Sequence, residues 1–333
     1  MRRLASLAIA LYLCLTLFAA CGASQGTTPE TTVVPTEAPS PTVSQAAIDA
    51  LDGKKIIFIG NSYTFWGNCV LYQTNEVLYQ YERGQDQGLF YQLCKANGID
   101  VEVTNWSFGS HNLSDIMSNE CLCENSACEG KDHLSYLTDR YFDYVVIQPF
   151  YETEYAGNLI SHLTPTLEVF REANPNVQFL IHVPHMGYER KFQWVPELQS
   201  AVDEGILICN WGEMFNDIVQ KKVAVPNAQQ TYSRPTFVIS RDEKDGHHQS
   251  LLGGYFTALM VYCAITGESA MGQSYDFCDD ITIHPNFSLE MFRARNYIYE
   301  PYTNFVEVFR SEPDMLGLQE LADRYLAKYN GGK

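Results

Sequence analysis

Two short segments carry residue types that together could open an acyl bond. The first is Gly60-Asn61-Ser62-Tyr63, directly after an apolar run. The second is Asp245-Gly246-His247-His248-Gln249-Ser250, almost two hundred positions later. A serine hydroxyl holds its proton at neutral pH, so it attacks a carbonyl only when a base removes that proton. An imidazole can serve as that base, and a carboxylate three positions earlier on the same loop can fix its tautomer. Ser62, His248 and Asp245 are therefore candidates for nucleophile, base and orienting acid. Each segment alone also has a plainer reading. Gly-Asn-Ser is a common turn, and two histidines on a polar loop can be a solvated turn or a helix cap.

Positioning these groups requires strands and helices in the right order, and the chain supplies them. Short β-rich runs at 55–60 (KIIFIG), 101–106 (VEVTNW), 143–148 (DYVVIQ), 177–183 (VQFLIHV) and 206–211 (ILICNW) alternate with helical stretches near 69–82, 86–97, 155–173 and 212–222. That alternation predicts an α/β fold: a sheet of about five parallel strands, with helices on both faces. An apolar helix from Leu251 to Thr266 is expected to stop at Gly267, and two further helical patterns, near 289–310 and 315–329, end the chain. Ligands of open parallel sheets collect at the carboxyl ends of the strands. Ser62 stands just beyond the first of them.

Taken together, FIGNSYT from Phe58, DGHHQS from Asp245 and the ITG ending at Gly267 resemble a branch of the SGNH (GDSL-type) hydrolases. The resemblance runs from about Lys54 to Gly267. It implies a single-domain esterase or deacetylase built as a flavodoxin-like three-layer sandwich, without cofactor or metal, in which Ser62 is the nucleophile, Asp245 the acid and His248 the base. His247 falls on the variable position. The family's oxyanion hole combines the serine N–H, a glycine N–H after strand two and an asparagine side chain after strand three. Gly109, in NWSFGS, matches the glycine, although a turn with positive φ would also call for one. The asparagine position falls on Glu152, whose carboxylate cannot donate. Gln148, common in the resembling branch, is assigned that role instead. The elbow Gly-x-Ser-x-Gly of α/β-hydrolases is absent.

Tyr63, Trp66 and His185 are candidates for the substrate cleft, the aromatic pair as sugar-stacking rings or as packing for the first helix. His182 and His185, three apart across a strand end, are expected to face different directions and not to form a metal pair.

The N-terminus reads as an export signal. Arg2 and Arg3 precede an apolar run from Leu4 to Phe18, and Ala19 and Ala20 then lead to Cys21. This resembles a bacterial lipobox with Phe18 where Leu is usual, so Cys21 is the expected lipidation site and the route to a membrane. Residues 21–50, rich in Thr, Pro and Ser, read as a disordered tether, on the order of 100 Å if stretched at about 3.3 Å per residue. The hydrolase-like domain is expected over 51–333, in an extracytoplasmic location. Without Arg2 and Arg3 the 22 basic residues become 20 against 40 acidic ones, a net charge of −20. That excludes nucleic acid and anionic lipid surfaces as electrostatic partners, but does not repel a neutral small-molecule or polysaccharide ester.

Of ten cysteines, Cys69, Cys94, Cys121, Cys123, Cys128, Cys209, Cys263 and Cys278 remain once Cys14 and Cys21 are set aside. An even number in an exported chain permits disulfides. The cluster at 121–128 reads as a disulfide-stapled loop in preference to a metal site. Three functions are compatible with these residues: hydrolysis of a short acyl ester, with O-acetyl carbohydrate suggested by export and the resemblance; acyl transfer to a sugar by the same triad; and glycan binding by a non-catalytic surface lipoprotein on the same scaffold.

Overall fold

A computed structural model describes residues 43–67, 69–70, 88–118, 122, 133–149, 159–185, 194–239, 248–278 and 305–331. The chain divides into two units, Met1–Pro39 and Ser40–Lys333, and all the described residues belong to the second. Asp245, His247, Glu152, Cys21, Cys121, Cys123 and Cys128 lie outside them, as do most of the expected helix near 69–82 and most of that near 289–310.

Five strands, β1 (Lys55–Gly60), β2 (Glu102–Ser107), β3 (Tyr144–Ile147), β4 (Gln178–His182) and β5 (Leu207–Cys209), form one parallel sheet in the order β2-β1-β3-β4-β5. All five fall within the expected runs or one residue from them. The order is that of flavodoxin-like folds, with its topological switch point between β1 and β3. The described helices are α1 (Gln45–Leu51), α2 (Ser62–Phe65), α3 (Leu89–Ala96), α4 (Leu113–Ile116), α5 (His133–Thr138), α6 (Leu159–Ala173), α7 (Trp194–Asp203), α8 (Trp211–Val219), α9 (Arg234–Phe237), α10 (Leu251–Thr266), α11 (Phe305–Phe309) and α12 (Glu312–Asn330). A two-residue antiparallel pair, β6 (Val238–Ile239) and β7 (His248–Gln249), stands apart from the main sheet.

Successive side chains of a strand point to opposite faces, so a strand buried on both sides reads as an unbroken apolar run. In β1, Ile56 and Phe58 enter one core with α3, α8 and α10, whereas Ile57 and Ile59 enter another with α4, α6 and α7. Three layers result. α10 runs through the first core with nearly every side chain buried, from an N-cap at Ser250 to a left-handed Gly267 (φ 73°). Its start and stop match the sequence reading.

The edge of the sheet at β5 is closed by a side chain. Asn330, at the end of α12, accepts from the Ile208 N–H and donates to the Ile208 carbonyl, each at 2.9 Å. An unpaired strand edge is otherwise a template for another chain. The first turn of α12 holds Asp314, whose buried carboxylate accepts from the Gln229 and Gln230 N–H groups, the Tyr232 hydroxyl (2.7 Å) and Ser311.

One expectation needs correction. The tether ends earlier than residue 50: Ser44 caps α1, which buries Ala47 and Leu51. Among the described residues, Cys69, Cys94, Cys209 and Cys263 are buried thiols outside any disulfide, and the cluster at 121–128 lies outside the described residues but for Leu122. Burial pushes all four thiols up, Cys209 to about 12, so they pack as small apolar groups.

Candidate active site

The register of the sheet aligns three of the candidate residues. Gly60 pairs with Ser107, and Ile59 pairs with Ile147. Ser62, Gly109 and Gln148 therefore each stand one or two residues past the carboxyl ends of three adjacent strands, β1, β2 and β3. This is the edge at which a parallel sheet binds ligands.

The turn holding Ser62 is fixed from several sides. Asn61, fully buried, caps α2: its side-chain oxygen accepts from the Tyr63 N–H (3.1 Å), and its amide donates to the His111 carbonyl (3.2 Å). Ser62 is the first helical residue and is half-buried. The need for glycine at position 60 is steric. A Cβ there would lie 2.4 Å from the Thr64 hydroxyl and 2.8 Å from the Gln148 amide oxygen. Asn is a favoured N-cap, so the role of Asn61 was readable from Asn-Ser-Tyr-Thr, yet the sequence reading passed over it.

Gln148 sits beneath this turn. Its Oε1 accepts from the Asn61 N–H (3.0 Å) and the Thr64 hydroxyl (3.1 Å), and its Nε2 donates to the Pro149 carbonyl (2.6 Å). An oxygen facing a backbone N–H settles which way the amide points. One N–H of the two remains for any other acceptor. The contacts of Gln148 are those of a brace under the nucleophile turn, a role that the sequence reading did not foresee.

Gly109 is exposed, and a turn with positive φ does not account for it. The positive φ of this loop belongs to Ser110 (65°), and a Cβ on Gly109 would meet nothing within 4 Å. Only the space above it is kept open. His111 ties the loop down, its Nδ1–H donating to the Gly109 carbonyl at 2.7 Å.

The second segment meets the first. His248 lies on β7, not on an irregular loop as expected, and is paired with Ile239. Its imidazole stacks on the indole of Trp66, with ring centroids 4.5 Å apart and planes 19° from parallel, and tilts against Tyr63 at 5.7 Å. The next residue, Gln249, donates from Nε2 to the Tyr63 carbonyl (3.3 Å) and accepts from the Thr257 hydroxyl (3.2 Å). Behind this contact the two backbones touch. A Cβ on Gly254 would lie 1.8 Å from the Gly67 carbonyl oxygen, and one on Gly67 would lie 2.5 Å from the Ser250 carbonyl oxygen.

The expected substrate cleft is different in kind. Tyr63, Trp66 and His185 are 4%, 9% and 1% exposed, so they pack and do not offer open stacking faces. Tyr63 stands edge-on to His185 (5.7 Å), which packs in turn on Phe215 (5.1 Å). His182 is also buried, and its acidity reflects that: burial and then the neighbouring His185 lower its pKa to about 3. It is a neutral imidazole at any ordinary pH.

No protein-family model matches the chain, and no curated protein does. Among solved structures, it is similar to a protein assigned to the SGNH hydrolases from Slackia heliotrinireducens, at 14% identity, over 63% of this chain and 98% of that one, with a TM-score of 0.36. It is similar as well to Axe2, an acetylxylan esterase from Geobacillus stearothermophilus, at 16% identity, over 66% of this chain and 96% of that one, with a TM-score of 0.40.

Proposed function

We propose that this protein is a serine esterase of the SGNH kind that removes short acyl groups, O-acetyl above all, from carbohydrate. The observation carrying this reading is the stack of His248 on Trp66, four residues after Ser62. The stack, with the contact of the same imidazole on Tyr63, supports the reading because both rings belong to the segment that Ser62 opens.

In this reading His248 takes the Ser62 proton, held in the right tautomer by Asp245. The serine oxygen attacks the acyl carbonyl and a tetrahedral oxyanion forms. The Ser62 N–H, unused by α2 because it is the first helical residue, meets that charge together with the Gly109 N–H. Gln148 contributes its remaining amide hydrogen or acts only through the turn. The imidazolium then protonates the departing sugar oxygen, and water, deprotonated by His248, frees the acyl group from Ser62. Lipidation of Cys21 would hold the enzyme on the outer side of a membrane, with residues 22–43 as its leash.

Ser62→Ala tests this directly. It should leave the circular dichroism spectrum unchanged and abolish turnover of an aryl acetate, and the parent should be labelled by a fluorophosphonate that the variant ignores. An alanine variant as active as the parent removes Ser62 from the mechanism.

A further inference from the structure

Trp66, a candidate for sugar stacking or for packing, is covered by the ring of His248. Trp66 is tied to the nucleophile through its backbone, its N–H donating to the Ser62 carbonyl at 3.0 Å. Its indole is almost fully buried and lies nearly parallel to the His248 imidazole, centroids 4.5 Å apart. A single residue thus bonds the main chain of one reactive group and covers the ring of the other.

We infer that Trp66 is a positioning residue for His248, holding the imidazole over the Ser62 turn and favouring its positively charged form while the serine proton is in transit. The face of an indole is electron-rich and attracts a cation lying on it, most strongly where water is excluded. The same contact restricts the rotation of the imidazole, which general base catalysis needs aimed at one hydroxyl. Other titratable groups bear on this one. Tyr63 tilts against the imidazole at 5.7 Å, and His185 stands edge-on behind Tyr63. Asp245, three positions earlier, lies outside the described residues. Val238 and Ile239 of β6 and the first residues of α10, Leu251 to Gly254, bring no ionisable side chain.

The kinetic consequence rests on the esterase reading, whereas the stack itself does not, and the test separates them. Aryl acetate hydrolysis is followed against pH for the parent, Trp66→Leu and Trp66→Phe. Removing the aromatic face should destabilise the imidazolium, so the acid limb of kcat/KM moves to lower pH by about half a unit. In the same variant kcat falls about tenfold at the optimum, with KM little changed, and Trp66→Phe recovers most of both. A folded Trp66→Leu whose acid limb coincides with that of the parent overturns the inference. Should Trp66→Leu fail to fold, proton NMR of the unmutated protein decides. The carbon-bound imidazole protons of His248, assigned by their loss in His248→Gln, should be displaced upfield by the indole ring current. Finding them at the positions of a solvated histidine overturns the inference equally. Persistence of turnover in Ser62→Ala sinks the esterase reading and leaves the NMR result standing.

Discussion

The side-chain oxygen of Gln148 accepts two hydrogen bonds from the turn that carries Ser62, one from the Asn61 backbone at 3.0 Å and one from the Thr64 hydroxyl at 3.1 Å. A residue of the β3 end thereby holds both flanks of the candidate nucleophile. This matters more than its amide hydrogens, one of which is already committed to the Pro149 carbonyl.

Gln148→Ala leaves a buried N–H and a buried hydroxyl without their acceptor. The expected loss is about 2–3 kcal/mol of stability, read as a lower midpoint in urea. With Ser62 no longer held, kcat for an aryl acetate should fall at least about tenfold while KM moves little. A variant with full kcat and reduced stability would confine Gln148 to a structural role.

Asp314 gives the fold a dependence on acid. Burial would raise its pKa, but the hydrogen bonds from Ser311, Tyr232, Gln230 and Gln229 outweigh that and hold it below the ordinary value of 3.8. A carboxyl with a depressed folded pKa contributes stability in full above its unfolded value, and that contribution is lost as pH falls through the folded one. The parent should therefore weaken below about pH 4. Asp314→Asn should be less stable by about 2–3 kcal/mol at neutral pH and should lose less on acidification. Parallel stability–pH curves for parent and variant would show that Asp314 does not titrate in this way.

The buried thiols make a third expectation. Cys69, Cys94, Cys209 and Cys263 should not react with Ellman's reagent in the native protein, because burial keeps them protonated and inaccessible. Concentrated guanidinium should release at least these four. Fewer than four thiols after unfolding would mean that some of these cysteines are bonded.

Much of the architecture was legible because burial on both faces writes itself as continuous apolar runs. KIIFIG and VQFLIHV could hardly be anything but interior strands, and α10 announced itself by an apolar sequence between Ser250 and Gly267. The short α1 was not legible, since QAAIDAL follows a low-complexity stretch and gains its meaning only from the core it covers. That the two motif segments, Ser62 to Trp66 and His248, belong to one site was suggested by the motifs, and the rings of Trp66 and Tyr63 do meet that of His248. What Trp66 and Gln148 do was not so suggested. An indole after a nucleophile may cover a sugar or a base, and the choice depends on which ring arrives from 182 residues away. A glutamine at a strand end may donate or accept, and the turn geometry around Asn61 decides between them. The even cysteine count permits disulfides without requiring them, and Cys69, Cys94, Cys209 and Cys263 each belong to packed core.

The contact of Gly67 with Gly254 acts as a fixed gauge between the two halves of the site. Peptide groups meet there with no side chain between them, so their separation cannot be tuned by exchanging one residue for a larger or smaller one. The long stretch of chain between the two glycines is under no such restriction. Insertions and deletions in its connections can change the surroundings of Ser62 and His248 without altering the distance between the two backbones at this contact.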